Sequence, residues 1–289
     1  MKTNFRKENQ LLRVAVPNKG ILSETAIVML KEAGYAVRRD TKDLHVVDVE
    51  NDIEFFYLRP RDIATYVGSG SLDVGLTGLD LLLDSRSKAE SVADLRFGGS
   101  TFRFAGPVGK FKNLSEIAGL RVATAYSNLV EDFLKREGIS VTLVQLDGAV
   151  ESAIKLGVAD VVADVVSTGN TLRQAGLEIF GPVILDSSAH LVAGPGKSAL
   201  AESLLRRLNG VIVAREYVIF DYDCPIEVVE QAAAITPGIE SPTISPLRDA
   251  EWVAVRALVK NNETNQKMDA LYALGARAIL VSAIHAARI

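Results

Sequence analysis

Asp160-Val-Val-Ala-Asp164-Val-Val-Ser167-Thr168-Gly169-Asn170-Thr171-Leu172 is an apolar run that ends in a small polar turn, with a helix plausible from Thr171 onward. The apolar part, over Val158–Ala163, is short and rich in valine, which reads as a buried strand. A strand that runs into a glycine-containing turn and then a helix is the repeating unit of an α/β layer with a largely parallel sheet. The same turn suits an anion. Ser167, Thr168 and Thr171 supply hydroxyls, and Gly169 lets successive backbone amides approach one phosphate. The helix start adds unpaired N–H groups. Asp164 carries the wrong charge for a phosphate but accepts hydrogen bonds from sugar hydroxyls beside one. The pattern therefore matches a 5-phosphoribosyl group, while a plain strand-turn-helix connection with Ser and Thr as caps accounts for it about equally well on local grounds.

Outward from this turn the alternation continues. Thr101–Gly106, Arg121–Ala125 and Val141–Gln145 read as strands. Leu114–Ala118, Asn128–Glu137 and Ala149–Leu156 read as helices, the second stopped by Gly138. Nearer the N-terminus, Leu12–Val16, Glu54–Leu58 and Leu72–Leu76 are strands. Ser23–Ala33 is a helix with Ser23 as N-cap and Gly34 as stop, and Arg61–Gly68 is a second helix. Around Leu185–Ala193 the chain returns toward the first unit. The expectation is two α/β lobes joined by two crossovers, with a cleft between them. Gly210–Tyr222 reads as a long strand, Pro225–Ala234 as a helix with Pro in its first turn, and Thr236-Pro237-Gly238 as a turn. Thr243–Pro246 and Trp252–Val259 are strands, Glu263–Leu274 is a helix, and Ala278–Ile284 is a strand. That β-α-β-β-α-β order is ferredoxin-like. The resulting plan is a tail over 1–10, lobe I over 11–100 plus 189–215, lobe II over 101–188, and a C-terminal domain over 216–289.

The chain has 289 residues, enough for two or three domains, with 48% hydrophobic residues, 24% charged residues and a net charge of −4. That balance makes no case for nucleic acid or for an anionic membrane surface. The single cysteine, Cys224, cannot form an internal disulfide and suits a reducing cytoplasm. Met1–Gln10 is polar, without the apolar core of a signal peptide, and no apolar run is long enough to span a bilayer. His45, His190 and His285 are isolated from one another and suggest no metal cluster.

A resemblance sharpens these readings. Glu151, Gly157, Ala159, Val162, Asp164-Val165, Thr168-Gly169 and Thr171-Leu172 are similar to the signature of the ATP phosphoribosyltransferase family, the entry enzymes of histidine biosynthesis. Arg13-Val-Ala-Val-Pro-Asn-Lys19-Gly20, Phe55–Arg59 with Pro60, Gly75-Leu-Thr77-Gly78, Thr124-Ala-Tyr126 and Leu146–Glu151 resemble the same family. Ile235-Thr-Pro-Gly238, Ser241-Pro-Thr243 and Trp252-Val-Ala-Val-Arg256-Ala resemble its long, actinobacterial-like form. The resemblance implies a two-lobed catalytic unit like the type II periplasmic binding proteins, followed by an ACT-like regulatory domain. The implied reaction joins N1 of ATP to C1 of phosphoribosyl pyrophosphate and releases pyrophosphate. Positioning and charge stabilisation are its main demands, with no covalent nucleophile. Mg²⁺ would be held mainly by substrate phosphates. Dimers assembling to a hexamer, and feedback inhibition by histidine, come with the family.

Residue by residue, the resemblance implies catalytic roles for Lys19, Arg59 and Asp164. Phosphoribosyl pyrophosphate would meet Glu151, Asp164, Val165, Ser167, Thr168, Gly169, Asn170 and Thr171. ATP would meet Lys19, Arg59, Gly75, Thr77, Asp80 and Tyr126, with Gly75, Thr77 and Gly78 in a tight turn. Histidine would meet Asp223, Ile239, Thr243 and Ala278. Simpler roles compete: Lys19 as a solvated loop lysine, Arg59 paired with Asp62, Asp80 and Asp223 as helix caps, Tyr126 as packing, and Glu151 as a partner of a helix dipole. Leu79 stands where many long-form relatives have Arg, and Ser188 where they have Glu. Two other readings stay open: a two-lobed phosphosugar- or nucleotide-binding receptor without catalysis, and a nucleobase-salvage phosphoribosyltransferase.

Overall fold

The computed structural model describes residues 11–38, 40, 42–166 and 169–288. Ser167 and Thr168, both assigned to the phosphate turn from sequence, lie outside the described residues, as does the N-terminal tail. The chain divides into two compact units between Leu205 and Arg206.

The first unit opens with β1 (Leu12–Pro17), α1 (Gly20–Glu32), β2 (His45–Asp48), β3 (Ile53–Leu58), α2 (Pro60–Gly68), β4 (Val74–Gly78), α3 (Leu79–Ser85) and β5 (Glu90–Asp94). It continues with β6 (Ser100–Pro107), β7 (Arg121–Thr124), α4 (Ser127–Arg136), β8 (Thr142–Gln145), α5 (Ser152–Lys155), β9 (Val161–Val166), α6 (Asn170–Gln174), β10 (Leu177–Ser187) and β11 (Ala189–Ala193). One sheet has the order β2-β3-β1-β4-β11-β5 and the other β10-β6-β9-β7-β8. The chain crosses between the sheets twice, after β5 and after β10, as the two-lobe expectation required. β1 pairs in parallel with β3 and β4, and β7 pairs in parallel with β8 and β9.

Burial explains most of these elements. β4 is buried at every position, the signature of an inner strand covered on both faces. β3 alternates instead, with Ile53, Phe55 and Tyr57 inward. α4 buries Leu129, Val130, Phe133 and Leu134, a helical stripe against Phe102 and Phe104. Three short elements carry little such signal. β2 and β5 form the two edges of their sheet and are largely solvent-facing, and α3 is seven residues long.

Two local expectations change. Ser23 does not cap α1: Lys19 occupies the cap position with extended backbone, and Ser23 is buried within the helix. Its hydroxyl accepts from Arg38 Nη2 at 3.2 Å. The long strand expected over Gly210–Tyr222 begins only at Tyr217, because α7 (Glu202–Glu216) continues through Gly210-Val-Ile-Val. Leu204, Leu208, Val211 and Ile212 are buried at helical spacing, so the 3.6-residue period prevails over a locally valine-rich run. Glu202 in the first turn and Arg215 in the last both favour the helix dipole.

The second unit carries β12 (Tyr217–Pro225), α8 (Val229–Ile235), β13 (Thr243–Pro246), β14 (Trp252–Lys260), α9 (Thr264–Leu274) and β15 (Arg277–Ala283). Its antiparallel sheet has the order β13-β14-β12-β15. Strand alternation buries Val218, Phe220, Tyr222 and Cys224, which pack with residues of α8 and α9 such as Ala232 and Leu271.

Candidate functional site

The parallel strands of each sheet in the first unit deliver their following residues to one edge of that sheet. Pro17 of β1 pairs with Leu58 of β3, and the Asn18 amide donates to the Leu58 carbonyl at 2.7 Å. Lys19 and Arg59 therefore leave adjacent strand ends side by side, and both are exposed. Ala15 pairs with Gly75, so the end of β4 lies on the other side of β1 and leads into Asp80. In the facing lobe Thr124 of β7 pairs with Ala163 of β9, which puts Tyr126 and Asp164 just past neighbouring positions. Ligands of open α/β sheets bind at such strand C-terminal ends.

The start of α2 meets the second sheet at Tyr126, where the Arg61 guanidinium lies over the ring, and Asp164 feels the charges of Asp80 and Arg61. Burial pushes the Asp164 carboxyl up; the Val165 amide, donating to Oδ1 at 2.8 Å, opposes this, Glu151 and Asp80 add to it, and Arg61 counters. Tyr126 is also held well above the usual phenol range, first by burial and then by the charge of Asp80. The Tyr126 ring packs edge-on to Phe102 at 5.1 Å, while the Arg61 guanidinium lies over its face at 4.7 Å. Tyr126 thus serves as packing toward the lobe core and presents its polar end to Asp80.

Asp80 is 7% exposed and sits in the first turn of α3, whose cap position is Gly78 rather than Asp80. Ser187 Oγ accepts from the Asp80 amide at 3.1 Å and donates to its Oδ1 at 2.8 Å. A Cβ on Gly78 would lie 2.3 Å from Asp80 Oδ1, so glycine there makes room for the carboxylate. Gly75 and Thr77 correct the sequence picture of a tight turn, because both lie inside β4. A Cβ on Gly75 would meet Ile63 Cγ2 at 2.7 Å, and Thr77 Oγ1 donates to the Pro60 carbonyl at 2.9 Å. These side-chain positions serve close packing of α2 onto β4, although the strand still delivers Asp80 to the cleft.

At the phosphate turn Gly169 has φ 70 and precedes α6, and Asn170 accepts a short hydrogen bond from Arg173. Glu151 occupies the residue before α5 without capping it. Of the two departures from the family pattern, Leu79 packs beside the apolar cluster of Ile63, Val67 and Leu82. Ser188 donates to Asp94 Oδ1 at 2.7 Å in the return crossover.

Arg61, Asp84 and Ser187 are parts of this site that sequence reading missed. Asp84 did carry a signal, since an acidic residue in the last turn of a helix opposes the dipole. The helix itself was too short to read. Among the described residues no three His, Cys, Asp or Glu side chains converge as a metal cage. Nor does any described helix have the length and apolarity to cross a membrane.

In the second unit Asp223 lies on β12 and caps neither helical segment that follows. It pairs across to Arg277, and Ala278 beside it adopts φ 51 at a register shift. Ile239 and Thr243 instead line a cavity of about 460 Å³ with Ile219, Ser241 and Arg256. Thr243 is on one edge strand and Ala278 on the other, three strand spacings or about 14 Å apart. One chain thus holds the four residues as two pairs, Asp223 with Ala278 and Ile239 with Thr243.

Comparison with known proteins gives concordant matches. Residues 59–210 match the family model "ATP phosphoribosyltransferase", and residues 214–286 match "HisG, C-terminal domain". The ATP phosphoribosyltransferase of Arthrobacter sp. (strain FB24) is 61% identical over 286 residues, covering 96% of this chain and 100% of the relative. That of Streptomyces avermitilis is 58% identical over 285 residues, with the same shares of both chains. Among solved structures, the ATP phosphoribosyl transferase (HisG:HisZ) complex from Thermotoga maritima superposes with a TM-score of 0.61 at 30% identity, covering 70% of this chain and 98% of that one.

Proposed function

The chain belongs to the ATP phosphoribosyltransferase family, and on that premise we propose which of its residues carry out the first step of histidine biosynthesis. One observation supports the assignment above others. Arg61 of one lobe lies over the Tyr126 ring of the other at 4.7 Å, and Asp84 accepts from the first turn of α4, which supports a reading in which the ribose side and the nucleotide side share one cleft.

In this reading Asp164 accepts from the ribose hydroxyls of phosphoribosyl pyrophosphate, with Val165, Ser167, Thr168, Gly169, Asn170 and Thr171 around the 5-phosphate and Glu151 beside the sugar. Lys19 and Arg59 attract the pyrophosphate and the triphosphate of ATP. Arg59 offers a planar fork of donors, and Lys19 a mobile point charge. Asp80 and Tyr126 border the nucleotide, with Thr77 and Gly75 behind them. The displacement at C1 then proceeds by alignment and by neutralisation of the departing pyrophosphate. The family's divalent cation, Mg²⁺ in our reading, supplies part of that neutralisation. Carboxylates such as Asp80 and Asp164 are hard oxygen donors that suit a cation arriving on substrate phosphates.

Histidine binding at Asp223, Ile239, Thr243 and Ala278 would give feedback inhibition. Because one chain splits these into two pairs, a site using all four would draw on two copies, which accords with a homo-oligomer such as dimers assembling to a hexamer. A cytoplasmic setting, with ATP at hand and Cys224 buried and unpaired, completes the reading.

The test is an absorbance assay for phosphoribosyl-ATP with ATP, phosphoribosyl pyrophosphate, Mg²⁺ and pyrophosphatase. Asp164→Asn should raise the KM for phosphoribosyl pyrophosphate, and Tyr126→Phe the KM for ATP, each by about tenfold. Unchanged constants in both variants would overturn the assignment of these residues.

A further inference from the structure

Asp84 is 8% exposed and stands in the last turn of α3, where the helix dipole disfavours a carboxylate. It meets its hydrogen-bonding needs elsewhere. Its Oδ1 accepts from the Asn128 amide at 3.0 Å and the Leu129 amide at 3.2 Å. Its Oδ2 accepts from Arg61 Nη1 at 2.9 Å, and its backbone carbonyl accepts from Asn128 Nδ2 at 2.8 Å.

Asn128 and Leu129 are in the first turn of α4, and Tyr126, in the cap position of α4, supplies no side-chain cap. The cap comes instead from Asp84, 44 residues upstream of Asn128 and in the other lobe. Arg61, anchored by the second oxygen of the same carboxylate, lies over the Tyr126 ring at 4.7 Å, and Tyr126 feels the charge of Asp80. Asp80 and Asp84 are four apart on α3, hence one above the other on a single face. Asp84 therefore holds Tyr126 from two sides, through Arg61 over its ring and through the first turn of α4 that follows it, while Asp80 lies one turn back on α3.

We propose that Asp84 is a positioning residue for the nucleotide half of the reaction. It ties the start of α4 to the end of α3 and so sets Tyr126 and its guanidinium cover against Asp80. The proposal rests on the ATP-side reading of Asp80 and Tyr126. It assigns Asp84 no contact with substrate. Its effect travels through Arg61 and the backbone of α4.

Two substitutions separate the parts. In Asp84→Asn the amide oxygen still accepts from both α4 amides, while the NH₂ group faces the Arg61 guanidinium as a second donor. In Asp84→Ala both functions go. Steady-state kinetics and thermal melting of the full-length chain should show Asp84→Asn with a KM for ATP raised about tenfold. Its KM for phosphoribosyl pyrophosphate should stay within about twofold and its melting temperature near that of the unaltered protein, since the cap survives. Arg61→Gln should raise the ATP KM similarly. The double variant should lose no more than either single one, because both break the same contact. A KM for ATP unchanged in Asp84→Asn, or KM values raised equally for both substrates, would overturn the proposal. The source of failure is identifiable. If Asp80→Asn and Tyr126→Phe also leave ATP binding intact, the ATP-side reading fails with it. If those two raise the ATP KM and Asp84→Asn does not, the positioning role alone is wrong. Should Asp84→Ala not fold, Asp84→Asn still decides the question.

Discussion

Asp164 shows how a single residue balances binding against stability. Burial, with Glu151 and Asp80 nearby, holds its carboxyl above the usual range, so the native state binds its proton more readily than the unfolded chain does. Stability therefore falls as pH rises from the ordinary carboxylate pKa of about 4 through the raised native value. In the proposed binding role the dependence is opposite, because the ionised carboxylate is the stronger acceptor for ribose hydroxyls. Asp164→Asn should accordingly melt no lower than the unaltered protein at neutral pH while binding phosphoribosyl pyrophosphate about tenfold more weakly. A pH profile of kcat/KM for that substrate should lose its acidic limb in the variant; an unmoved limb would assign it to another group. Gly75 marks a different kind of constraint. Gly75→Ala would drive a methyl to 2.7 Å from Ile63 and should cost about 1–3 kcal/mol of stability in a denaturant titration. Asp164 stands out in the sequence because it directly precedes a polar turn, whereas Asp80 and Arg61, which act on its carboxyl, lie in other elements. The inward role of Thr77 was not, because its partner, the Pro60 carbonyl, lies in another element.

At the scale of elements, α3 and α4 carry the contacts that brace the lobes. Besides Asp84, Arg86 bonds Glu131 and Asp132 of α4, and it does so from a left-handed backbone with φ 48. The two contributions oppose each other. Exposed ion pairs contribute about 0–1 kcal/mol, and a non-glycine residue in the left-handed region costs about 1–2 kcal/mol. Arg86→Gly should therefore change stability by less than about 1 kcal/mol despite removing several hydrogen bonds. A loss well beyond that in chemical denaturation would mean that the pairs form a stronger network than their exposure suggests. The contrast with Asp84 is one of burial: a buried carboxylate with three donors has no water to replace them.

For the whole molecule, the four residues proposed to contact histidine fall as two pairs on one sheet. Asp223→Ala should raise the histidine concentration for half-inhibition by about tenfold or more, while kcat without histidine stays unchanged. Equal inhibition of the variant and the unaltered protein would remove Asp223 from the effector site. The β-α-β-β-α-β order of this unit was legible from strand and helix periods, apart from the start of β12. There the run Val211-Ile212-Val213 is as β-like as any strand in the chain, yet it is helical.

The sequence by itself determined the strands with strong burial, their alternation with helices, and the two crossings between sheets. Those features are local, since a strand's period, a helix stop or a glycine turn is written in adjacent residues. Only the tertiary structure decided that Asp84 caps α4, that Arg61 pairs with Asp84, and that Gly75 and Thr77 face the packing. In each case the deciding partner lies outside the segment concerned or on the opposite face of the element. Local periodicity records which side of an element is buried, but not which distant donor or side chain it will meet there.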